Sequence, residues 1–141
     1  MSIKSPSIDR KSSLFKCPEC SFYKQIKETS NHKSPIFSFK YMESGHSIRD
    51  CPKEDKIALA DKLFQLSQMT WQDIFEAYRH GAGQEKIAKN SIRVPIPACV
   101  KEDTNLIAIR YNGKAPIIGF RENEVFHVLW VDFDYSVYKH S

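Results

Sequence analysis

The chain has 141 residues, with 21 Lys+Arg against 17 Asp+Glu, four cysteines, 41% hydrophobic and 12% aromatic content, the composition of one ordinary globular domain. No apolar run reaches the roughly 18 residues that a membrane span needs, and MSIKSPSIDRKSS contains no apolar stretch of signal-peptide type, so a cytoplasmic protein with no membrane partner is expected. The formal charge of +4 is uneven: residues 1–53 hold ten Lys/Arg and five Asp/Glu, whereas residues 54–141 hold eleven and twelve.

Residues 1–34 read as a basic N-terminal arm. Its first 13 residues combine Ser, Lys and Pro with little apolar content, and Leu14, Phe15, Phe22, Tyr23 and Ile26 follow without helical or strand periodicity, so docking or metal would be needed to order them. From Pro35 onward the chain reads as one domain. Phe37, Phe39 and Tyr41 alternate with Ser38 and Lys40, the period of a half-buried strand, and His46 to Cys51 read as a short return strand after a turn at Glu43–Gly45.

Pro52 marks a break, and Glu54 and Asp55 stand in the first turn of a helix to about Gln68, where the helix dipole favours acidic groups. Ile57, Ala60, Leu63 and Phe64, with Leu59 and Leu66 less regularly, make its apolar stripe. Thr70 and Asp73 have capping-box spacing, and Trp71, Ile74, Phe75 and Tyr78 recur at i, i+3, i+4 and i+7, which predicts a second helix that Gly81 and Gly83 would stop. A helical turn around Gln84–Lys89 and an extended Val94–Pro97 crossover lead to three strands: Leu106–Tyr111, Ile117–Arg121 and Val125–Asp132. Asn112-Gly113 signals a hairpin, and Pro116 implies a loop longer than two residues. The near-continuous apolar run VFHVLWVD suits an interior strand. The order β(β)αα-βββ defines an α+β class, with an antiparallel sheet of four to five strands and two helices packed on it.

Two constellations could carry chemistry. Cys17-Pro18-Glu19-Cys20 sets two sulfurs on one tight turn, and Gly45-His46 with Cys51 resembles the second half of a retroviral-type zinc knuckle in its H-x4-C spacing. Cys17, Cys20, His46 and Cys51 supply the number and kind of ligands for tetrahedral zinc, which would staple a non-catalytic nucleic-acid or protein-binding module. Twenty-five residues separate Cys20 from His46, where a knuckle has only a few. As a strand, residues 46–51 would also set His46 and Cys51 about 16 Å apart on opposite faces, so zinc requires a turn there. The alternatives are a redox pair, or a loop CxxC with Cys51 as a small apolar residue.

The second constellation is Arg110, Lys114, Arg121, Tyr138 and His140 on the last three strands and the tail. Cutting RNA by internal attack of a 2′-hydroxyl needs a base, an acid and cations for the developing phosphorane charge, with no obligatory cofactor. Arg110 and Arg121 would clamp the phosphate, Lys114 or His140 would move protons, and Tyr138 would position a base. His127, flanked on its own strand face by Val125, Leu129 and Val131, reads as a core histidine with one satisfied nitrogen. Asp132 and Asp134 would repel a phosphate unless they orient Arg110 or Tyr138.

Two helices followed by a three-stranded meander with basic strand residues and a terminal Tyr/His, over residues 53–141, resemble the RelE/ParE superfamily of bacterial toxins in topology and residue type, without a matched sequence motif. The resemblance implies an endoribonuclease acting on mRNA at the ribosome and a protein antitoxin that covers its basic surface. The segment Leu106–His140 is also similar to small uncharacterised bacterial proteins.

Overall fold

Backbone hydrogen bonds in the computed structural model, which describes residues 30–78 and 84–139, assemble seven regular elements. In chain order they are β1 (Ile36–Ser38), α1 (Lys53–Ser67), α2 (Trp71–Tyr78), β2 (Gln84–Ile87), β3 (Leu106–Asn112), β4 (Ala115–Glu122) and β5 (Val125–Val131). The strands form one five-stranded sheet in the order β1-β5-β4-β3-β2. All neighbours are antiparallel except β1 and β5, so the α+β class and the two helices stand as expected and the sheet is mixed.

Both helices begin where local chemistry favours it. Glu54 and Asp55 occupy the first turn of α1. At the start of α2 the Thr70 N–H donates to Asp73 Oδ2 at 3.0 Å, and the Asp73 N–H donates to Thr70 Oγ1 at 3.1 Å. Hydrogen bonding to the Asp73 carboxyl from the Thr70 backbone first, and from its hydroxyl second, holds that carboxyl below its ordinary pKa. The helices cover one face of the sheet: Leu59, Leu66, Trp71 and Ile74 pack against Ile109, Ile117, Phe126 and Val128. The phase of α1 differs from the sequence reading, since Leu59 and Leu66 are buried while Ile57 and Phe64 are exposed. Asp55 contributes to that choice by accepting from the Tyr111 hydroxyl of β3 at 2.6 Å, which turns the 55/59/66 side inward.

The opposite face carries Leu106, Ala108, Ile118, Phe120, Leu129 and Trp130, and irregular chain covers it. Ile92, Val94 and Val100 come from the crossover. Val137 comes from the C-terminal segment, whose backbone pairs with residues 91–93 through Arg93 N–H to Val137 O at 2.7 Å and Lys139 N–H to Ser91 O at 3.0 Å. Covering both faces explains why β5 is apolar at every position but His127.

Four local expectations are corrected. The first strand is short and joins β5 in parallel, Ile36 opposite Val125, because the two helices intervene before the chain returns to the sheet. Residues 46–51 do not return as a strand: the Ser47 hydroxyl accepts from Arg49 N–H and Asp50 caps the Ser47 N–H, which closes a 3-10 turn over Ile48–Asp50. Gln84–Ile87 is an edge strand on β3 instead of a helical turn, and the 3-10 turn follows at Lys89–Ser91. The β3–β4 connection is a two-residue turn, Asn112 pairing with Ala115, with Gly113 at φ +59 and a register shift beside Arg110 that accommodates Pro116.

Candidate functional site

Arg121 lies near the end of β4, with its side chain on the helix-covered face. Its guanidinium carbon stands 4.5 Å from the centre of the Trp71 ring and 5.6 Å from that of Phe75. Its Nε donates to the Asn123 carbonyl and Nη2 donates to Ser30 Oγ at 3.0 Å. Ser30 is itself buried, in a short 3-10 turn (Ser30–His32), and Lys33 just after that turn accepts from Trp71 N–H at 3.0 Å. Burial pulls the pKa of Arg121 down, opposed by nearby Glu124. Among the described residues no carboxylate closes an ion pair with Arg121. Stacking and two neutral acceptors therefore fix this cation while the rest of its five N–H donors stay available.

A cleft of about 500 Å³ opens beside it. Its lining includes Phe75 of α2, Phe120, Arg121 and Glu122 of β4, and Lys101, Asp103 and Asn105 of the loop before β3. That loop is tied down: Lys89 Nζ donates to the carbonyls of Lys101 and Glu102, and the Thr104 N–H donates to Lys101 O at 3.0 Å. The cleft lining thus combines the Phe75 ring, the Asn105 amide, two cations (Lys101 and Arg121) and two carboxylates (Asp103 and Glu122).

The sequence-derived set is divided. Arg110 is exposed on the coil-covered face of β3 and is a charged neighbour of Tyr138. Arg110 pairs with Pro116, and Arg121 lies five residues further along β4 on the other face, about 16 Å away along the strand. Lys114 is exposed in the β3–β4 turn, and His140 lies outside the described residues. The structure therefore brings Arg110 and Tyr138 together and sets Arg121 apart from them. Trp71 and Phe75, read from the sequence only as core, serve also as the platform for Arg121. Their helical periodicity identified the face but could not identify what stacks on it.

Tyr138 is buried, and its hydroxyl donates to Glu85 Oε1 at 3.3 Å. Burial, then the Glu85 charge, push its pKa up to about 12, and burial followed by the Asp55 bond pushes Tyr111 up as well. A phenol that holds its proton more tightly in the folded state stabilises the protein fully below the unfolded value near 10, and that contribution disappears as pH rises through the folded value. Urea midpoints are expected to fall between about pH 10 and pH 12, with a smaller fall in Tyr138→Phe. An equal fall in the variant would exclude Tyr138 as a source.

His127 is buried with its ring stacked on Phe120 at 4.8 Å, and its Nε2 lies 3.1 Å from Glu122 Oε1, while Nδ1 has no hydrogen-bond partner. This is the core histidine with one satisfied nitrogen that strand parity predicts. Of the four residues read as a zinc set, Cys17 and Cys20 lie outside the described residues. Residues 46–51 form the turn that zinc would need, but Cys51 is buried in the helix-side core, and burial, with Asp55 next, raises its thiol pKa to about 11. A thiol so shifted is a poor thiolate donor. The His46 imidazole turns instead to the C-terminal segment, its Nε2 2.8 Å from Ser136 Oγ.

No protein-family model, curated protein or solved structure matches this chain. Among the described residues no helix is long and apolar enough to cross a membrane.

Proposed function

We propose that the protein binds single-stranded RNA at the Arg121 cleft and acts on it as a small toxin-like factor. The observation that supports this most is a guanidinium stacked on Trp71 at the edge of an aromatic cleft with no carboxylate partner among the described residues. A planar cation of this kind binds a phosphate through paired N–H donors, while Phe75, half-buried in the cleft lining, offers an aromatic surface on which a base stacks irrespective of sequence. Lys101 adds a second cation across the cleft, and Asp103 and Glu122 limit the net attraction, which favours a short strand over a duplex. Because Arg110 and Tyr138 lie on the other face, the binding step is assigned to Arg121 and no shared catalytic centre is built from the five-residue set. A protein antitoxin would inhibit by covering the cleft.

Fluorescence anisotropy with a labelled 10-nucleotide RNA tests the binding step. Arg121→Gln is expected to weaken binding about 10- to 100-fold, as loss of one charged hydrogen-bonding group does, and Lys114→Gln to change it less than about twofold. Affinity for the Arg121→Gln variant equal to that of the wild type would remove the cleft from the reading. Induced expression in a bacterial host tests the action: growth arrest with fragmented mRNA is the expected result, and normal growth with intact RNA overturns the toxin-like part.

A further inference from the structure

On the far side of the sheet end from the cleft, His46 in the loop after β1 meets Asp132 and Asp134 just beyond β5. One ligand atom from each of the three residues lies within 4.8 Å of the other two. His46 Nε2 and Asp134 Oδ1 are 3.4 Å apart, roughly the edge of a tetrahedron with metal–ligand bonds of about 2.1 Å. The convergence joins segments far apart in sequence and is held by the backbone: Val131 N–H donates to His46 O at 2.7 Å, and Glu43 N–H donates to Leu129 O at 2.9 Å.

The carboxylates are also oriented from behind. Asp132 is wholly buried, and its Oδ1 accepts from Ser136 N–H at 2.8 Å and Val137 N–H at 3.1 Å. Asp134 Oδ1 accepts from the Ser136 hydroxyl at 2.6 Å. The His46 ring rests against Phe133, with centroids 5.6 Å apart. A nucleophilic serine is not what this geometry builds. The Ser136 proton is directed at Asp134, and that same carboxylate lies against the same imidazole nitrogen as the hydroxyl, so no relay through the opposite ring nitrogen exists.

The geometry points to a divalent transition-metal site, His46 Nε2 with one carboxylate oxygen each from Asp132 and Asp134, that takes zinc or manganese and pins the C-terminal segment to the loop after β1. One imidazole and two carboxylates suit borderline ions of this class. The site needs neither Cys51 nor the CxxC, and it is independent of the RNA-binding reading because it lies outside the cleft. A bound ion would stiffen residues 132–138, which carry Val137 and Tyr138 onto the coil-covered face.

The test uses the full chain carrying Cys17→Ser and Cys20→Ser, stripped with chelator and titrated with ZnCl₂ and with MnCl₂ by calorimetry. One equivalent of zinc or manganese with Kd below about 1 μM is expected, accompanied by a rise in Tm. His46→Gln should weaken binding at least about 100-fold and Asp134→Asn at least about 10-fold, while Cys51→Ala leaves it unchanged. The Asp134 side chain is half exposed, so its variant keeps the test decisive if His46→Gln fails to fold. Absence of binding tighter than about 100 μM would leave an internal ion pair only and overturn the proposal, as would binding unaffected by both variants.

Discussion

Gly119→Ala is expected to abolish or nearly abolish folding, because the new methyl group would land on the β5 backbone. A Cβ built at Gly119 falls inside contact distance of the His127 carbonyl oxygen and lies 2.9 Å from its carbon, with Val128 Cα at 3.1 Å. The obstacle is main chain, so no rotamer change can remove it. The register explains the close approach: Ile118 opposes Trp130 and Gly119 opposes Val128, so Leu129 is an extra residue on β5 and the strands are drawn together at the bulge. β4 is the middle strand of the five, hydrogen-bonded on both edges, so moving it away from β5 would also disturb β3. The cost should reach the exceptional range for a point substitution, on the order of 4 kcal/mol or more, against a total stability of roughly 5–15 kcal/mol. Gly113→Ala is the matched control, since nothing lies within 4 Å of its added Cβ and only the positive φ is strained, worth about 1–2 kcal/mol. Soluble yield and urea unfolding followed by tryptophan fluorescence distinguish the two. A Gly119→Ala protein as stable as the Gly113→Ala control would mean the bulge is not there.

Trp71→Ala should destabilise the protein by about 3–5 kcal/mol, the range for emptying a large aromatic site in a core. Trp71 has no exposed surface and packs its ring 6.1 Å from both Phe75 and Phe126. It also closes a polar link, its indole N–H donating to Glu124 O at 3.0 Å, while its backbone N–H holds Lys33 O. Trp71→Phe separates these roles. It retains most of the buried area and leaves the Glu124 carbonyl one donor short, though that oxygen still accepts from Ile36 N–H, so a loss of about 1–2 kcal/mol is expected. Denaturant titration of both variants measures the difference. Equal losses would show that the hydrogen bond, not the packing, dominates. On the RNA-binding proposal, the Trp71→Phe protein should also bind RNA less tightly than wild type at unchanged fold, because a benzene face holds a guanidinium less strongly than an indole face.

The exposed pair on α1 shows how sequence periodicity can identify an element and still misplace its face. Ile57 and Phe64 are as apolar as Leu59 and Leu66, and all four fit a broad helical stripe. The Tyr111 hydroxyl contributes to the choice between them by bonding Asp55 on the inward side. The same reasoning applies to Gln84–Ile87. Gln84, Glu85 and Lys86 carry no strand signal, yet the segment pairs with Ala108 and Ile107 across a long crossover and buries Ile87. An edge strand gains its stability from the ladder, and local propensity contributes little.

The sequence alone determined the features whose causes lie within a few residues. The acidic first turn of α1, the Thr70/Asp73 cap of α2, the location of the β3–β4 turn, the interior character of β5 and the buried state of His127 all follow from spacing and side-chain chemistry. Tertiary structure decided the rest, because each remaining feature joins segments whose separation carries no local signal. The parallel pairing of β1 with β5, the stacking of Arg121 on Trp71 and the meeting of His46 with Asp132 and Asp134 are of this kind. The basic charge that dominated the composition belongs mainly to residues 1–53, whereas the cation best placed to meet a phosphate is Arg121 in the nearly neutral remainder. Net charge is a sum over the chain and sets only the distant field; stacking and burial fix where one guanidinium can act.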